Sequence, residues 1–466
     1  MDPMASKNIS RPNVLFVFAD QLRASSVGYT GQEHVKTPNI DNFAINNSYF
    51  KTAVSMMPVC GPYRACLMTG KTPTSTGQII NDIPLDYDEV SIGRVFKAEK
   101  YDTAYVGKWH LNGPNRPGPV LPEARHGWDY WMGANFEHNY SQSRFTDNEG
   151  NEKTWKGYDA ESQTDEVINF LRNRPSENPF CMFLSWGPPH HPYREAPKEY
   201  LDLYDPKIIK GRPNCPDVPN NDLWGYYAQT TFLDDQFGRL LDELERLKLD
   251  KNTIVIFTSD HGDMHGSHGV YKKQWPWNES ILVPFSIRYP GIIPANQRLD
   301  FPISVIDIFP TLLGLCEIGI PESIEGINLA PFICGDRNDP PESVLIMNPC
   351  PFSIGDPRSP DQVPDYLGRR MEYRGVISDR YTYVRTIDGP WLLYDNLIDP
   401  YQINNLIDNN EYETLRVRLD GMMREHMAKI NDEILPKEEY YKKFNLKLDH
   451  RGKLADLVEN MYNRAG

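Results

Sequence analysis

Four short segments of this chain are almost unbroken runs of apolar residues, and each ends abruptly in polar ones. NVLFVFA (13–19) runs into Asp20-Gln21, and TAYVG (103–107) into Lys108-Trp109-His110. FCMFLSW (180–186) leads to Pro189-His190-His191-Pro192, and TIVIFT (253–258) to Ser259-Asp260-His261-Gly262-Asp263. A strand with one wet face alternates apolar and polar residues. A continuous run instead predicts a strand buried on both faces, as in the interior of a parallel sheet.

Helical patterns separate these runs: Pro38 to Asn47, opened by Thr37-Pro38, then Arg64 to Met68 stopped by Gly70, Ser91 to Lys100, Glu161 to Arg172, Asn221 to Leu247 and Val305 to Leu315. Ile281 to Ile287 reads as one more strand. The alternation predicts an α/β layered sheet. After Asp339-Pro340-Pro341 the rhythm changes. Short strands are expected at Val344–Met347, Glu372–Ile377, Tyr381–Arg385 and Trp391–Tyr394, followed by a charged helix from about Glu411 to Ile430. The expectation is therefore a larger α/β domain over 10–342 and a smaller antiparallel sheet with a helix over 343–466. The loop Pro349 to Asp365 is a candidate lip of a pocket, and the tail beyond Asp432 reads as a solvated surface.

The net charge of −15 argues against a surface that coats nucleic acid, and no run is long enough to span a bilayer. Seven scattered cysteines, none in C-x-x-C spacing, predict no disulfide framework. The opening MDPMASKNISRPN has no apolar secretory segment. The chain as it stands is expected in the cytoplasm, or in the periplasm or outside the cell if a leader has been removed.

In open α/β sheets, ligand sites gather at the carboxyl ends of the strands. Carboxylates, imidazoles and a lysine at four such ends point to a metal-assisted anion site. Cys60-Gly61-Pro62-Tyr63-Arg64 adds a further motif, and the chain resembles the type I sulfatases from about residue 11 to 406. Cys60, Pro62 and Arg64 match the family's C-x-P-x-R signature. Asp20-Gln21 is similar to its opening metal motif, Gly107-Lys108-Trp109-His110 to G-K-x-H, and Pro189-His190-His191-Pro192 to P-H-x-P. Asp260-His261-Gly262 with Lys273 is similar to the second metal motif and its downstream lysine.

This resemblance implies an alkaline phosphatase-like fold, a large mixed and mostly parallel sheet sandwiched by helices. It also implies a maturation enzyme that oxidises Cys60 to formylglycine, whose hydrate is the nucleophile. Asp20, Gln21, Asp260, His261 and the modified residue 60 would hold a divalent cation. Their largely oxygen donor set favours Ca²⁺, with Mg²⁺ or another divalent ion as the alternative. Lys108 and Lys273 would neutralise the sulfate, Arg64 orient the nucleophile, His190 protonate the leaving alkoxide and His110 assist release of sulfate. His190, which aligns with the family block, is preferred over its neighbour His191.

Gln21 stands where many sulfatases have aspartate, His261 where many have asparagine, and Tyr63 where a small residue is common. The implied substrate is a sulfated small molecule or saccharide; neither the sugar nor the oligomeric state is legible. The rivals are a phosphonate monoester or phosphodiester hydrolase of the same superfamily and a non-catalytic sulfoglycan-binding protein. His265, Trp275 and Trp277 read as packing residues. His138 and Tyr140 read equally as packing residues or as the lining of a subsite.

Overall fold

A computed structural model describes residues 11–114, 118–174, 176–215, 220–351 and 371–447. The apolar runs become β1 (Asn13–Asp20), β2 (Asp102–Lys108), β4 (Phe180–Pro189) and β5 (Thr253–Ser259). A further strand, β3 (Tyr130–Ala134), forms from a stretch, YWMGA, that carries no strand pattern. These five lie parallel in the order β5-β1-β4-β2-β3. Additions on both edges, antiparallel except for Gln297–Leu299, which pairs parallel with Ser48–Phe50, bring the sheet to ten strands.

Side chains alternate across the sheet, so each central strand feeds two cores. Phe16 and Phe18 face one side with Tyr105, Phe183 and Ile256, against helices Cys60–Thr69 and Val305–Leu315. Leu15 and Val17 face the other with Val106, Leu184 and Phe257, against helices Asp159–Asn173 and Asn220–Arg246. Phe16 is in register with Phe183 and stacks on it at 4.5 Å. Each such fully buried side chain contributes about 1.5–3 kcal/mol relative to exposure. Burial on both faces is the physical reason the runs are continuous.

The second sheet contains Ser343–Asn348, Tyr373–Ser378, Tyr381–Thr386 and Gly389–Asp395, all antiparallel, with helix Glu413–Lys429 after it. Its Leu345, Met347, Val376 and Tyr383 join the core that lies under the large sheet. All but the first three residues of the lip loop Pro349 to Asp365 lie outside the described residues.

Two expectations need correction. Ile281 to Ile287 is not one strand: Leu282–Val283 pairs with Ala53–Val54, while Phe285–Arg288 pairs with β5 in the large sheet. Pro284 between them supplies no backbone donor, so the ladder breaks there. Nor is the tail beyond Asp432 simply solvated. Arg374 donates to both oxygens of Asp432, one at 3.0 Å, and to the Tyr440 hydroxyl at 2.6 Å, with all three residues buried. Removing one partner of a buried pair strands the other charge. Arg374→Ala should therefore lose about 3–5 kcal/mol in urea unfolding monitored by tryptophan fluorescence. Replacing Arg374 and Asp432 together by apolar residues should recover most of that loss. A single variant as stable as the parent would rule out this account.

Candidate active site

Asp20 ends β1, and the next residue, Gln21, has a φ of 70°, unusual for a side chain-bearing residue. That turn is held by its neighbours. The Gln21 amide donates to Asp260 Oδ1 at 3.0 Å, Leu22 N to Ser259 Oγ at 2.9 Å, and the Tyr226 hydroxyl to the Gln21 carbonyl at 2.7 Å. Asp260 follows β5, so the two carboxylates meet at the ends of adjacent strands.

Cys60 opens helix Cys60–Thr69, where the unpaired amides of the first turn favour negative charge. Arg64 lies one turn later on the same face. Its guanidinium donates to the Lys108 carbonyl (2.6 Å), Ser185 Oγ (2.7 Å), Asp20 (3.3 Å) and Asp260 (3.1 Å). One buried side chain thus ties together the ends of β1, β2, β4 and β5.

Glycine is required where the strands crowd. A Cβ on Gly107, whose φ is 103°, would sit 2.0 Å from the Ser185 carbonyl oxygen. The following Lys108 can therefore reach inward, and its Nζ pairs with Asp20.

Ligand atoms of Asp20, Cys60, Asp260 and His261 all lie within 4.8 Å of one another, every one buried. Cys60 Sγ is 3.2 Å from His261 Nε2 and 3.6 Å from Asp20 Oδ1. His261 Nδ1 is 2.9 Å from the Gly262 carbonyl, an acceptor only. The Nδ1 proton is committed to that carbonyl, so Nε2 is the nitrogen that faces the group, the one a metal-ligating imidazole presents. Lys273 Nζ reaches both Cys60 Sγ (3.1 Å) and Gln21 Oε1 (2.9 Å). Gln21 Nε2 donates to Asp263 (2.6 Å) and toward the Tyr193 hydroxyl (3.2 Å), which fixes the amide with its oxygen on the Cys60 side. Two carboxylates, an imidazole nitrogen and an amide oxygen in a buried cluster fit a divalent cation.

Burial works against charge on Asp20, but Lys108, Lys273 and Arg64 outweigh it and hold that carboxyl well below its usual range. Asp260 moves up, through burial and through repulsion from Asp20. Burial and Asp20 oppose ionisation of Cys60, yet Lys108, Lys273 and His261 together bring its thiol well below the ordinary cysteine value. Arg64, Lys108 and Lys273 against the carboxylates of Asp20 and Asp260 leave room for an anion.

The imidazoles form the outer part of the site. His110, with a φ of 60°, places Nε2 3.2 Å from Asp82 Oδ1 and its ring 4.6 Å from that of Phe136. His190 is buried, with Nδ1 3.0 Å from the His191 carbonyl. Burial, and then the Lys273 charge, holds its pKa well below the usual histidine value. His138 lies flat on His190, ring centres 4.1 Å apart. Phe136, His138 and Lys273 are half-buried and His191 exposed, so the constellation meets solvent along this side.

All the sequence-predicted residues thus converge, with Cys60, Asp20, Gln21, Asp260, His261, Arg64, Lys108 and Lys273 in direct contact with one another. His110 and His190 stand in the flanking ring cluster. Trp275 and Trp277 are buried in the core of the second sheet, and His265 packs on Tyr226 at 4.4 Å. Sequence reasoning gave no individual role to Asp82, Phe136, Ser185, Tyr193 or Asp263, although Asp263 stands in one of the strand-end clusters. Tyr193 directly follows the Pro189-His190-His191-Pro192 motif and could have been drawn in with it, whereas Asn81-Asp82 carries only a turn signal.

Comparison with known proteins agrees with this geometry. The family model described as Sulfatase matches residues 12–318. The chain is 39% identical over 445 residues to an ulvan-active sulfatase of Formosa agariphila, covering 94% of this chain and 85% of that protein. It is 31% identical over 482 residues to an endo-4-O-sulfatase of Bacteroides thetaiotaomicron, covering 90% and 93% respectively. A solved 4S-sulf structure from a glycosaminoglycan-metabolising locus of that organism superposes with a TM-score of 0.82 at 29% identity, covering 94% of this chain and 99% of that one. With the motif residues gathered at one sheet end and the match spanning most of its length, the chain belongs to the sulfatase family, the alkaline phosphatase-like enzymes that hydrolyse sulfate esters.

Proposed function

We propose that this sulfatase cleaves a sulfate monoester on a carbohydrate, with formylglycine made from Cys60 and a divalent cation, Ca²⁺ by donor chemistry. The observation that carries the reading is the position of Cys60 Sγ, at once 3.2 Å from His261 Nε2 and 3.1 Å from Lys273 Nζ. Asp20, Gln21, Asp260, His261 and residue 60 would hold the ion. When present, the ion supplies Lewis acidity and the modified side chain a hydrated aldehyde as nucleophile.

The chain's own residues supply the rest. Lys108 and Lys273 face the position of the nucleophile and neutralise the sulfate oxygens as charge moves toward the leaving group. His190 donates Nδ1–H to the His191 carbonyl, so Nε2 is the atom left to carry a proton to the leaving oxygen. Burial keeps that ring neutral in the free protein, and an incoming anion favours its protonated form. His110, oriented by Asp82, handles the proton in the second half of the cycle. A carbohydrate substrate is supported by the relative named for ulvan and by the glycosaminoglycan setting of the solved neighbour.

Gln21 and His261 also suit a phosphonate monoester or phosphodiester hydrolase, so the test compares attack at sulfur and at phosphorus with the same leaving group. Protein with Cys60 conversion verified by peptide mass spectrometry is assayed on 4-nitrophenyl sulfate, 4-nitrophenyl phenylphosphonate and a panel of sulfated saccharides. The sulfates should turn over faster, with at least one saccharide preferred over the aryl ester. Phosphonate turnover ahead of every sulfate by a wide margin would overturn the assignment.

A further inference from the structure

The segment Phe136 to Tyr140, just after β3, touches both flanking histidines. Phe136 packs on His110 at 4.6 Å and lies under Lys108 Nζ at 4.5 Å. Its ring also meets His138 edge-on at 4.1 Å. His138 stacks on His190 with the planes only 10° apart, and on His191 at 5.2 Å. The buried Tyr140 hydroxyl is 2.9 Å from the His190 carbonyl and 3.1 Å from that of Gly187.

Hydrogen-bond inventory then fixes the tautomer of His138. Tyr140 has one hydroxyl proton, and both carbonyls can only accept it. The 3.3 Å contact between His138 Nδ1 and the Tyr140 oxygen must therefore have the imidazole donating. His138 is thus pinned by Tyr140 below and Phe136 at its edge, presenting one face to His190.

We propose that His138 is a positioning residue for His190: its ring face sets the plane of the His190 imidazole, while Tyr140 anchors the His190 backbone. This rests on the reading of His190 as the proton donor. Burial, then Lys108 and His191, push the His138 pKa well down, so the stacked partner is a neutral π face beside a ring that must become cationic. His138 touches His190 without taking a proton itself, and a phenyl ring can do the same.

Three variants test it: His138→Ala, His138→Phe and, as reference, His190→Ala. Activity is read on 4-nitrophenyl sulfate, whose leaving group needs no proton, and on phenyl sulfate, whose phenolate is more basic. His138→Ala should lower kcat on phenyl sulfate by about 10–100-fold with KM little changed and 4-nitrophenyl sulfate nearly spared; His138→Phe should restore most of the loss. Independently of any substrate, ¹⁵N-histidine NMR should show His190 as a single Nδ1–H tautomer in the parent and in His138→Phe, and a tautomer mixture in His138→Ala. A single tautomer in His138→Ala, a phenyl variant no better than alanine, or equal loss on both esters would overturn the proposal. A His190→Ala variant with undiminished phenyl sulfate turnover would instead overturn the acid assignment beneath it.

Discussion

Replacing Cys60 by alanine is expected to lower turnover by roughly 10⁵–10⁶-fold, the scale seen when a covalent nucleophile is removed. The loss should fall on kcat, because Lys108 and Lys273 remain to bind the sulfate. The fold should persist: Arg64, which links the four strand ends, makes its hydrogen bonds to Lys108, Ser185, Asp20 and Asp260 without help from the thiol. An unchanged melting temperature with abolished turnover of 4-nitrophenyl sulfate is therefore the expected pair of results. Retention of more than a few per cent of parental kcat would end the case for residue 60 as the nucleophile. The measurement must use protein whose conversion at Cys60 is known, since a sample left as thiol would resemble the variant.

The second large effect is expected at His190. A sugar alkoxide leaves poorly unless protonated, so His190→Ala should cost about 10²–10⁴-fold in kcat on a carbohydrate or phenyl ester. On 4-nitrophenyl sulfate the same variant should lose far less. The ratio of the two losses, rather than either alone, identifies a proton donor: a merely structural defect would reduce both equally. The competing assignment to His191 predicts the reverse ranking of the His190→Ala and His191→Ala variants. Burial distinguishes them here, since His190 is enclosed between His138 and the strand end whereas His191 is exposed.

Much of this site was legible because its parts sit where continuous apolar runs stop. Residues such as Asp20 and Asp260 are informative in sequence because nothing in a doubly buried strand explains a carboxylate at its last position. β3 was missed because its aromatic and glycine residues, Tyr130 to Ala134, carry no repeating pattern. The neighbouring Phe136 to Tyr140 segment remained ambiguous for the same reason. Its two readings, packing residue and pocket lining, turn out not to be exclusive, since His138 packs on His190 itself. Contacts such as Asp82 with His110 or Asp432 with Arg374 join residues far apart in the chain, and no local rule announces them. The split at Pro284 was visible as a proline inside a short run, the signal that a ladder cannot continue.

The closure around Arg64 also sets a clock. Cys60 and Arg64 are each 1% exposed, shut in by groups on strands that end at residues 20, 108, 189 and 259. Any enzyme that must grasp this cysteine and oxidise it needs the segment extended and accessible. Such access ends when the last of those strands docks. Between emergence of residue 60 and that docking lie roughly 200 residues of synthesis, about 10–40 s at ordinary translation rates. On the proposed reading of residue 60, its oxidation has to precede that docking, and a chain that folds first is locked out of its own chemistry.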